Sequence, residues 1–200
     1  MSTAVPHRAR APWLLAATLI ALPAWAHEQQ GQAAGFFSGL LHPVSGLDHT
    51  LAMLAVGLWG AQLGAPAIWL LPVTFPLVMA FGGFLGLLGV PLPSVEIGIA
   101  ASAILLGAMV ATQARTPLWL AAALVAVFAV FHGHAHGTEL PPGQSGLLYS
   151  LGFVMATGGL HATGIGIGFI HRWASGRVAL RGAGVAVSAA GLFFLWRALT

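Results

Sequence analysis

The segment HPVSGLDH at residues 42–49 combines two imidazoles and a carboxylate. On one α-helix His42 and His49 would lie two turns apart on nearly the same face, with Asp48 beside them. A neutral imidazole nitrogen binds borderline divalent metals, and an aspartate either binds the same ion or fixes the tautomer of a ligating histidine. The segment therefore predicts part of a metal site. The alternative role for Asp48 is that of a helix cap paired with His49.

The segment FHGHAHGTE at residues 131–139 supplies a second set of possible ligands. His132, His136 and Glu139 have the spacing i, i+4, i+7 and face one direction on a helix, whereas His134 points to nearly the opposite side. We therefore predict the first three as metal ligands and treat His134 as a weak candidate. The alternative, favoured by the glycines and prolines around the segment, is a histidine-rich loop outside the membrane.

Composition narrows the chemistry of such a site. The chain has no cysteine, which excludes disulfides, iron–sulfur clusters and thiolate zinc sites. Imidazole with carboxylate suits nickel, cobalt, zinc and copper(II), and we expect no permanently bound cofactor. The pI of about 11.2 comes from seven arginines scattered at segment ends, so the sequence does not predict a nucleic-acid partner.

The rest of the sequence indicates an integral membrane protein with the lipid bilayer as its solvent. Of 200 residues, 58% are hydrophobic and only 6% are charged, which fits neither a soluble globular nor a disordered chain. Residues 1–26 have a basic start, a short apolar core and the pair Ala24 and Ala26, the plan of a bacterial signal peptide. We predict a signal peptide at 1–26 and a single polytopic membrane domain at 27–200. The alternative for the first segment is an uncleaved anchor.

Glycine and proline divide the remaining chain into apolar stretches long enough to cross a bilayer. We predict an all-α bundle of about six transmembrane helices, at residues 35–63, 66–89, 94–112, 117–138, 146–170 and 179–199. The first stretch is the least regular, because HPVSGLDH interrupts its hydrophobicity, and its first part could be re-entrant.

Arginine positions predict the orientation of this bundle. A periplasmic mature N-terminus places Arg115, Arg172, Arg177 and Arg181 on the cytoplasmic side and leaves only Arg197 outside, as the positive-inside rule requires. In the same orientation, the candidate ligands lie toward the periplasmic ends of their spans. We expect a multi-pass protein of the bacterial inner membrane.

Four further positions are candidates for the same chemistry. Glu96 would start the third span and is predicted as a ligand or counter-charge, although a helix-start glutamate also interacts favourably with the helix dipole. His161, deep in the fifth span, is a candidate relay, with interhelical packing as the alternative. Two weaker candidates are Phe75 and His27. Phe75, where prolines predict a distorted helix, could line a pore, with simple packing as the alternative, and His27 would become a chelating N-terminus after cleavage.

These motifs resemble the HupE/UreJ family of small bacterial membrane proteins associated with hydrogenase and urease gene clusters. HPVSGLDH is similar to the family signature H-P-x-x-G-x-D-H, FHGHAHGTE to its F-H-G-x-A-H-G-x-E element, and LHATG to its fifth-span histidine segment. The resemblance covers the whole mature chain and implies permeation of nickel, sometimes cobalt. It also implies functional roles for six positions: His42, Asp48, His49, Glu96, His136 and Glu139.

On this basis we expect a secondary transporter for Ni²⁺ or Co²⁺ rather than an enzyme, with a functional link to hydrogenase or urease maturation. The rival hypothesis is an intramembrane zinc-dependent hydrolase, which needs a lipid-accessible pocket and three ligands converging on one point. A third hypothesis, a b-type haem protein, needs histidines paired across a cavity wide enough for the macrocycle.

Ligation by histidine predicts that nickel uptake falls as the pH drops from about 8 to about 5, since the unperturbed imidazole pKa is about 6.5. Protons compete with the metal for the same nitrogen lone pairs, so acid removes ligands from the site. Uptake by intact cells across this pH range measures the effect. A flat profile would show that imidazole does not hold the ion.

Overall fold

The computed structural model describes residues 32–140 and 142–200. In these residues it contains seven α-helices, one 3-10 turn and no strand. The elements are α1 (Gln32–Ser45), α2 (Leu47–Leu63), α3 (Ala67–Leu87), α4 (Val95–Thr112), α5 (Leu118–Thr138), α6 (Gly146–Gly168), the 3-10 turn (Phe169–Arg172) and α7 (Ala174–Leu199). The predicted all-α class is confirmed. The predicted signal peptide and His27 lie outside the described residues.

Five of these helices are long and apolar enough to cross a membrane: α3, α4, α5, α6 with the 3-10 turn, and α7. Helix α2 has 17 residues, fewer than the roughly 20 that span a bilayer. The count of six spans therefore stays a prediction. The predicted second to fifth spans match α3 to α6 closely, whereas α7 begins at Ala174 rather than at residue 179.

The first predicted span is divided into two helices. Gly46 has an extended backbone (φ −95°, ψ 118°) and ends the helical run between α1 and α2. The Asp48 carboxylate accepts a hydrogen bond from the backbone N–H of His49 at 2.8 Å, in the first turn of α2. His42 and His49 thus belong to different helices. The prediction that they share one face of one helix is wrong, because the seven-residue spacing crosses this break.

Glycines at the helix contacts let the backbones approach closely. A Cβ at Gly133 on α5 would overlap the carbonyl oxygen of Met79 on α3, and a Cβ at Gly57 on α2 would overlap the carbonyl oxygen of His161 on α6. In a membrane such small residues allow the van der Waals contact that drives helix association. The α3–α5 and α2–α6 contacts therefore fix the helices that carry the candidate ligands.

Helix α3 contains the two prolines from which a distortion was predicted. It continues as a single helix through Pro72 and Pro76. Phe75, between them, is completely buried and packs in the core with Leu71 and Met79. Phe75 therefore faces the interior of the bundle.

Replacing Gly133 with alanine is expected to force α3 and α5 apart, because the added methyl group meets the Met79 backbone rather than a flexible side chain. We expect a decrease of about 1–3 kcal/mol in the free energy of unfolding, the usual cost of overpacking. Denaturant titration of the purified protein in detergent measures this change.

The matched control is Gly158→Ala on α6, where a Cβ would meet no atom within 4 Å in the described chain. That variant should be as stable as the wild type or slightly more stable, since alanine favours a helix. Equal stability losses in the two variants would contradict the packing argument.

Candidate metal site

The two histidine-rich segments meet at one end of the bundle. The break between α1 and α2 brings the first segment to the C-terminal end of α5, which carries the second, and the first turn of α4 completes the wall. The polar cavity between them has a volume of about 300 Å³. Its wall includes all six positions that the family resemblance implied: His42, Asp48, His49, Glu96, His136 and Glu139.

Three side chains at the mouth of this cavity can share one ion. His42, His136 and Glu139 each offer a ligand atom, and these atoms lie within 4.8 Å of one another. The Oε2 atom of Glu139 is 3.1 Å from His42 Nε2 and 3.6 Å from His136 Nδ1. Ligand atoms about 2.1 Å from one metal ion lie about 3–4 Å apart, so small side-chain movements would close the set around an ion.

Further imidazole rings continue from the mouth into the bundle. The ring centroids of His136 and His49 are 4.1 Å apart, and those of His49 and His132 are 4.2 Å apart. Exposure falls along the series, from 52% for the Glu139 side chain to 6% for His49 and 0% for His132. Polar groups therefore lead from an accessible carboxylate to a fully buried imidazole.

Hydrogen bonds to carboxylates assign the tautomers of two rings. His49 Nδ1 is 3.3 Å from Asp48 Oδ1, and His42 Nε2 is 3.1 Å from Glu139 Oε2. A carboxylate only accepts hydrogen bonds, so these nitrogens carry the proton when no ion is bound. An ion shared by His42 and Glu139 would replace the proton on His42 Nε2, whereas His49 keeps the lone pair of its opposite nitrogen for a metal. His49 Nε2, the free nitrogen of its ring, is buried and has no hydrogen-bond partner among the described residues.

Glu139 keeps a negative charge at the mouth. It caps α5, just beyond the membrane-spanning residues. The contacts with His136 and His42 hold the pKa of its carboxyl well below the usual range, and this effect exceeds that of partial burial, which raises the pKa. The carboxylate therefore stays ionised when the solution is mildly acidic, and it attracts cations to the cavity.

The candidate relay lies further inward and does not join the cavity. Phe75 stands between the two levels, with its ring centroid 5.5 Å from that of His132 and 5.5 Å from that of His161. His161 is 1% exposed, and neither of its ring nitrogens has a hydrogen-bond partner in the part of the chain that the structure describes. Phe75 thus separates the outer histidines from the inner one.

Two candidates have simpler surroundings. His134 Nε2 donates to the carbonyl oxygen of Val90 at 2.7 Å, which ties α5 to the loop after α3 and turns this ring away from the cavity. Glu96 lines the cavity and is exposed. It adds a carboxylate from α4 to the wall of the cavity.

Three residues around the site were missed by sequence reasoning. Ser102 on α4 lies 2.8 Å from His132 Nε2. Phe153 on α6 packs its ring 4.1 Å from that of His136, and Tyr149 lies 5.9 Å from His42, measured between ring centroids. None of them belongs to a histidine-rich segment. An aromatic pair four residues apart on α6 is the only signal that the sequence offered for two of them.

Comparison with known proteins assigns the chain to a family. The family described as HupE / UreJ protein matches residues 15–194 of the chain. Protein HupE of Rhizobium leguminosarum bv. viciae is 46% identical over 177 residues, which cover 88% of this chain and 93% of that protein. No solved structure matches the chain significantly. Both the extent of the family match and the identity to this relative show that the chain belongs to the HupE/UreJ family.

Proposed function

We propose that this protein carries Ni²⁺ inward across the cytoplasmic membrane, with Co²⁺ as a second possible cargo, and supplies a nickel enzyme such as a hydrogenase or urease. The observation that carries the proposal is the meeting of His42, His136 and Glu139 within 4.8 Å at the mouth of a polar cavity. Membership in a family of hydrogenase and urease accessory proteins supports it.

The outer cavity would capture the ion and remove its water. The ionised Glu139 attracts a hydrated cation, and imidazole nitrogens of His42 and His136 replace water ligands one at a time. The adjacent His49 ring, 4.1 Å from His136, offers the next nitrogen inward. Replacing ligands in small steps keeps the ion coordinated while it leaves water.

Passage beyond the cavity would follow Phe75 and His161. These residues lie inward of His132, and His161 has two unpartnered ring nitrogens within the described chain. In this order, the outer cavity would capture the ion and Phe75 would form an aromatic barrier behind it. His161 would then hold the ion through a single ligand, which releases it more easily than three ligands do.

The membrane potential can drive this movement without a nucleotide. A divalent cation moving inward gains about 4.6 kcal/mol per 100 mV, twice the single-charge value. Since 1.4 kcal/mol corresponds to a factor of ten, this gain supports accumulation of more than a thousandfold. Secondary transport is therefore sufficient for uptake.

Charge distribution supports a periplasmic position for the cavity. The carboxylates of Asp48, Glu96 and Glu139 lie at the cavity end. Arginines line a second polar cavity at the opposite end of the helices, where Arg115 and Arg177 lie near the end of α4 and the start of α7. By the positive-inside rule, the arginine end is the proposed cytoplasmic side.

A second candidate function is the intramembrane zinc-dependent hydrolase. The observation that favours it is an apolar cavity of about 360 Å³ between α3, α5 and α6, which reaches His136 and is lined in part by exposed apolar residues such as Phe84 and Leu147. A lipid-embedded substrate could approach the ligands by this route. The haem hypothesis loses its basis, because rings 4.1–4.2 Å apart leave no space for a macrocycle between them.

Removing ligands from the outer cavity is expected to lower transport strongly. We expect His49→Ala and Glu139→Gln each to lower nickel uptake by more than about tenfold, since even indirect partners of metal ligands contribute 10–100-fold to affinity. Uptake of radiolabelled nickel by intact cells, at matched protein levels and with cobalt and zinc as competitors, measures the effect.

The matched control is His134→Gln, which removes a histidine outside the cavity and keeps an amide donor for the Val90 carbonyl. This variant should transport like the wild type. If His49→Ala and Glu139→Gln also transported like the wild type, the nickel proposal would lose its chemical basis.

Substitution of His161 distinguishes the two candidate functions. A transporter needs an inner station, whereas a hydrolase needs ligands at one depth only. We expect His161→Gln to bind Ni²⁺ at the outer cavity with unchanged affinity, measured by calorimetry on purified protein, but to lose at least tenfold in uptake. Undiminished uptake would show that the ion does not depend on His161.

A further inference from the structure

Ser102 makes two hydrogen-bonding contacts through one hydroxyl group. It lies on α4, and its oxygen is 2.6 Å from the carbonyl oxygen of Ile99 in the same helix. The same oxygen is 2.8 Å from Nε2 of His132 on α5. Ser102 and His132 are both completely buried, so bulk solvent does not reach either group. The protons for the two contacts therefore come from the Ser102 hydroxyl and the His132 ring.

The position of the single hydroxyl proton decides the tautomer of His132. If the hydroxyl donates to Ile99, its oxygen can only accept from His132, so Nε2 carries the ring proton and Nδ1 keeps its lone pair. This arrangement satisfies every group except the Nδ1 lone pair, which has no partner among residues 32–140 and 142–200.

The opposite arrangement is much less favourable. If the hydroxyl donated to His132, two oxygens 2.6 Å apart would have no proton between them. The ring proton would then sit on Nδ1, leaving a buried N–H donor without an acceptor in the described chain. Buried donors are nearly always paired in folded proteins. The first arrangement is thus the one that the surroundings of Ser102 select.

We infer that Ser102 is a positioning residue: it holds His132 as the Nε2–H tautomer and so presents Nδ1 as the ligand nitrogen of the deepest ring of the outer site. His49 is held in the complementary way, by Asp48 at Nδ1, with Nε2 left free. The two rings are 4.2 Å apart, each bound at one nitrogen and free at the other. That the ligand is nickel rests on the proposed function, whereas the tautomer does not.

The tautomer can be measured in the metal-free protein. In protein labelled with ¹⁵N-histidine, a nitrogen–proton correlation spectrum distinguishes a protonated from an unprotonated ring nitrogen, and the His132 signals are assigned by their absence in His132→Gln. We expect the wild type to carry the proton on Nε2. Ser102→Ala, which removes the hydroxyl with little change in volume, should shift His132 partly or wholly to the Nδ1–H form.

The same variants are then compared in nickel uptake. We expect Ser102→Ala to raise the half-saturating Ni²⁺ concentration by about 10–100-fold, the usual effect of removing a partner that orients a metal-binding histidine. The maximal rate should change less. Ser102→Thr, which restores a hydroxyl, should recover most of the affinity.

The matched control is Ser188→Ala on α7. Its hydroxyl donates to the carbonyl oxygen of Ile104 on α4 at 2.9 Å. The variant therefore removes a serine hydrogen bond between α7 and α4, the helix that carries Ser102, and this bond involves no histidine. It should keep the wild-type half-saturating concentration and the wild-type spectrum of His132. An equal loss in Ser188→Ala and Ser102→Ala would reduce Ser102 to a packing residue and overturn the inference.

Failure of this inference is separable from failure of the proposed function. A wild-type His132 with its proton on Nδ1, or a Ser102→Ala protein with an unchanged tautomer, overturns the role of Ser102 whatever the protein transports. If the tautomer changes as expected but the wild-type protein takes up no nickel, the transport proposal fails and the role of Ser102 in fixing His132 stands.

Discussion

Unpaired imidazole nitrogens inside an apolar bundle are the feature on which the rest of this structure depends. A buried polar group without a partner costs about 1–3 kcal/mol, and His49, His132, His136 and His161 all carry such nitrogens within the described chain. A divalent cation relieves this cost, because it accepts the lone pairs that no donor in the bundle reaches. The affinity of these nitrogens for an ion therefore depends on their burial as well as on the chemistry of imidazole.

Close backbone contact keeps these nitrogens from finding other partners. Gly133 brings α5 against α3 and Gly57 brings α2 against α6, each at a distance that a side chain would prevent. With the backbones fixed, a ring can turn about its side-chain bonds but cannot move away from its neighbours. The four rings of the outer site therefore stay within contact of one another without a bound ion. Capture then requires little reorganisation.

The sequence predicted which side chains meet more accurately than how they are held. HPVSGLDH and FHGHAHGTE could be assigned to the same end of the bundle because the predicted spans and the arginine positions bring both segments to the periplasmic ends of their helices. Spacing alone could not predict the break at Gly46, which depends on the backbone of a single residue. It also could not identify Ser102, since a lone serine in an apolar span usually bonds to its own helix, and its partner His132 is thirty residues away.

The separation of charge along the bundle has an electrical consequence. Among the described residues, carboxylates gather at one end of the bundle and three guanidinium groups at the other, with Arg197 in the last turn of α7 as the exception. This part of the chain therefore has a dipole along its helices. A voltage that is negative inside stabilises the orientation with the guanidinium groups inside, by up to about 2.3 kcal/mol for each charge per 100 mV. The field that would draw a cation through the bundle therefore also opposes its inversion.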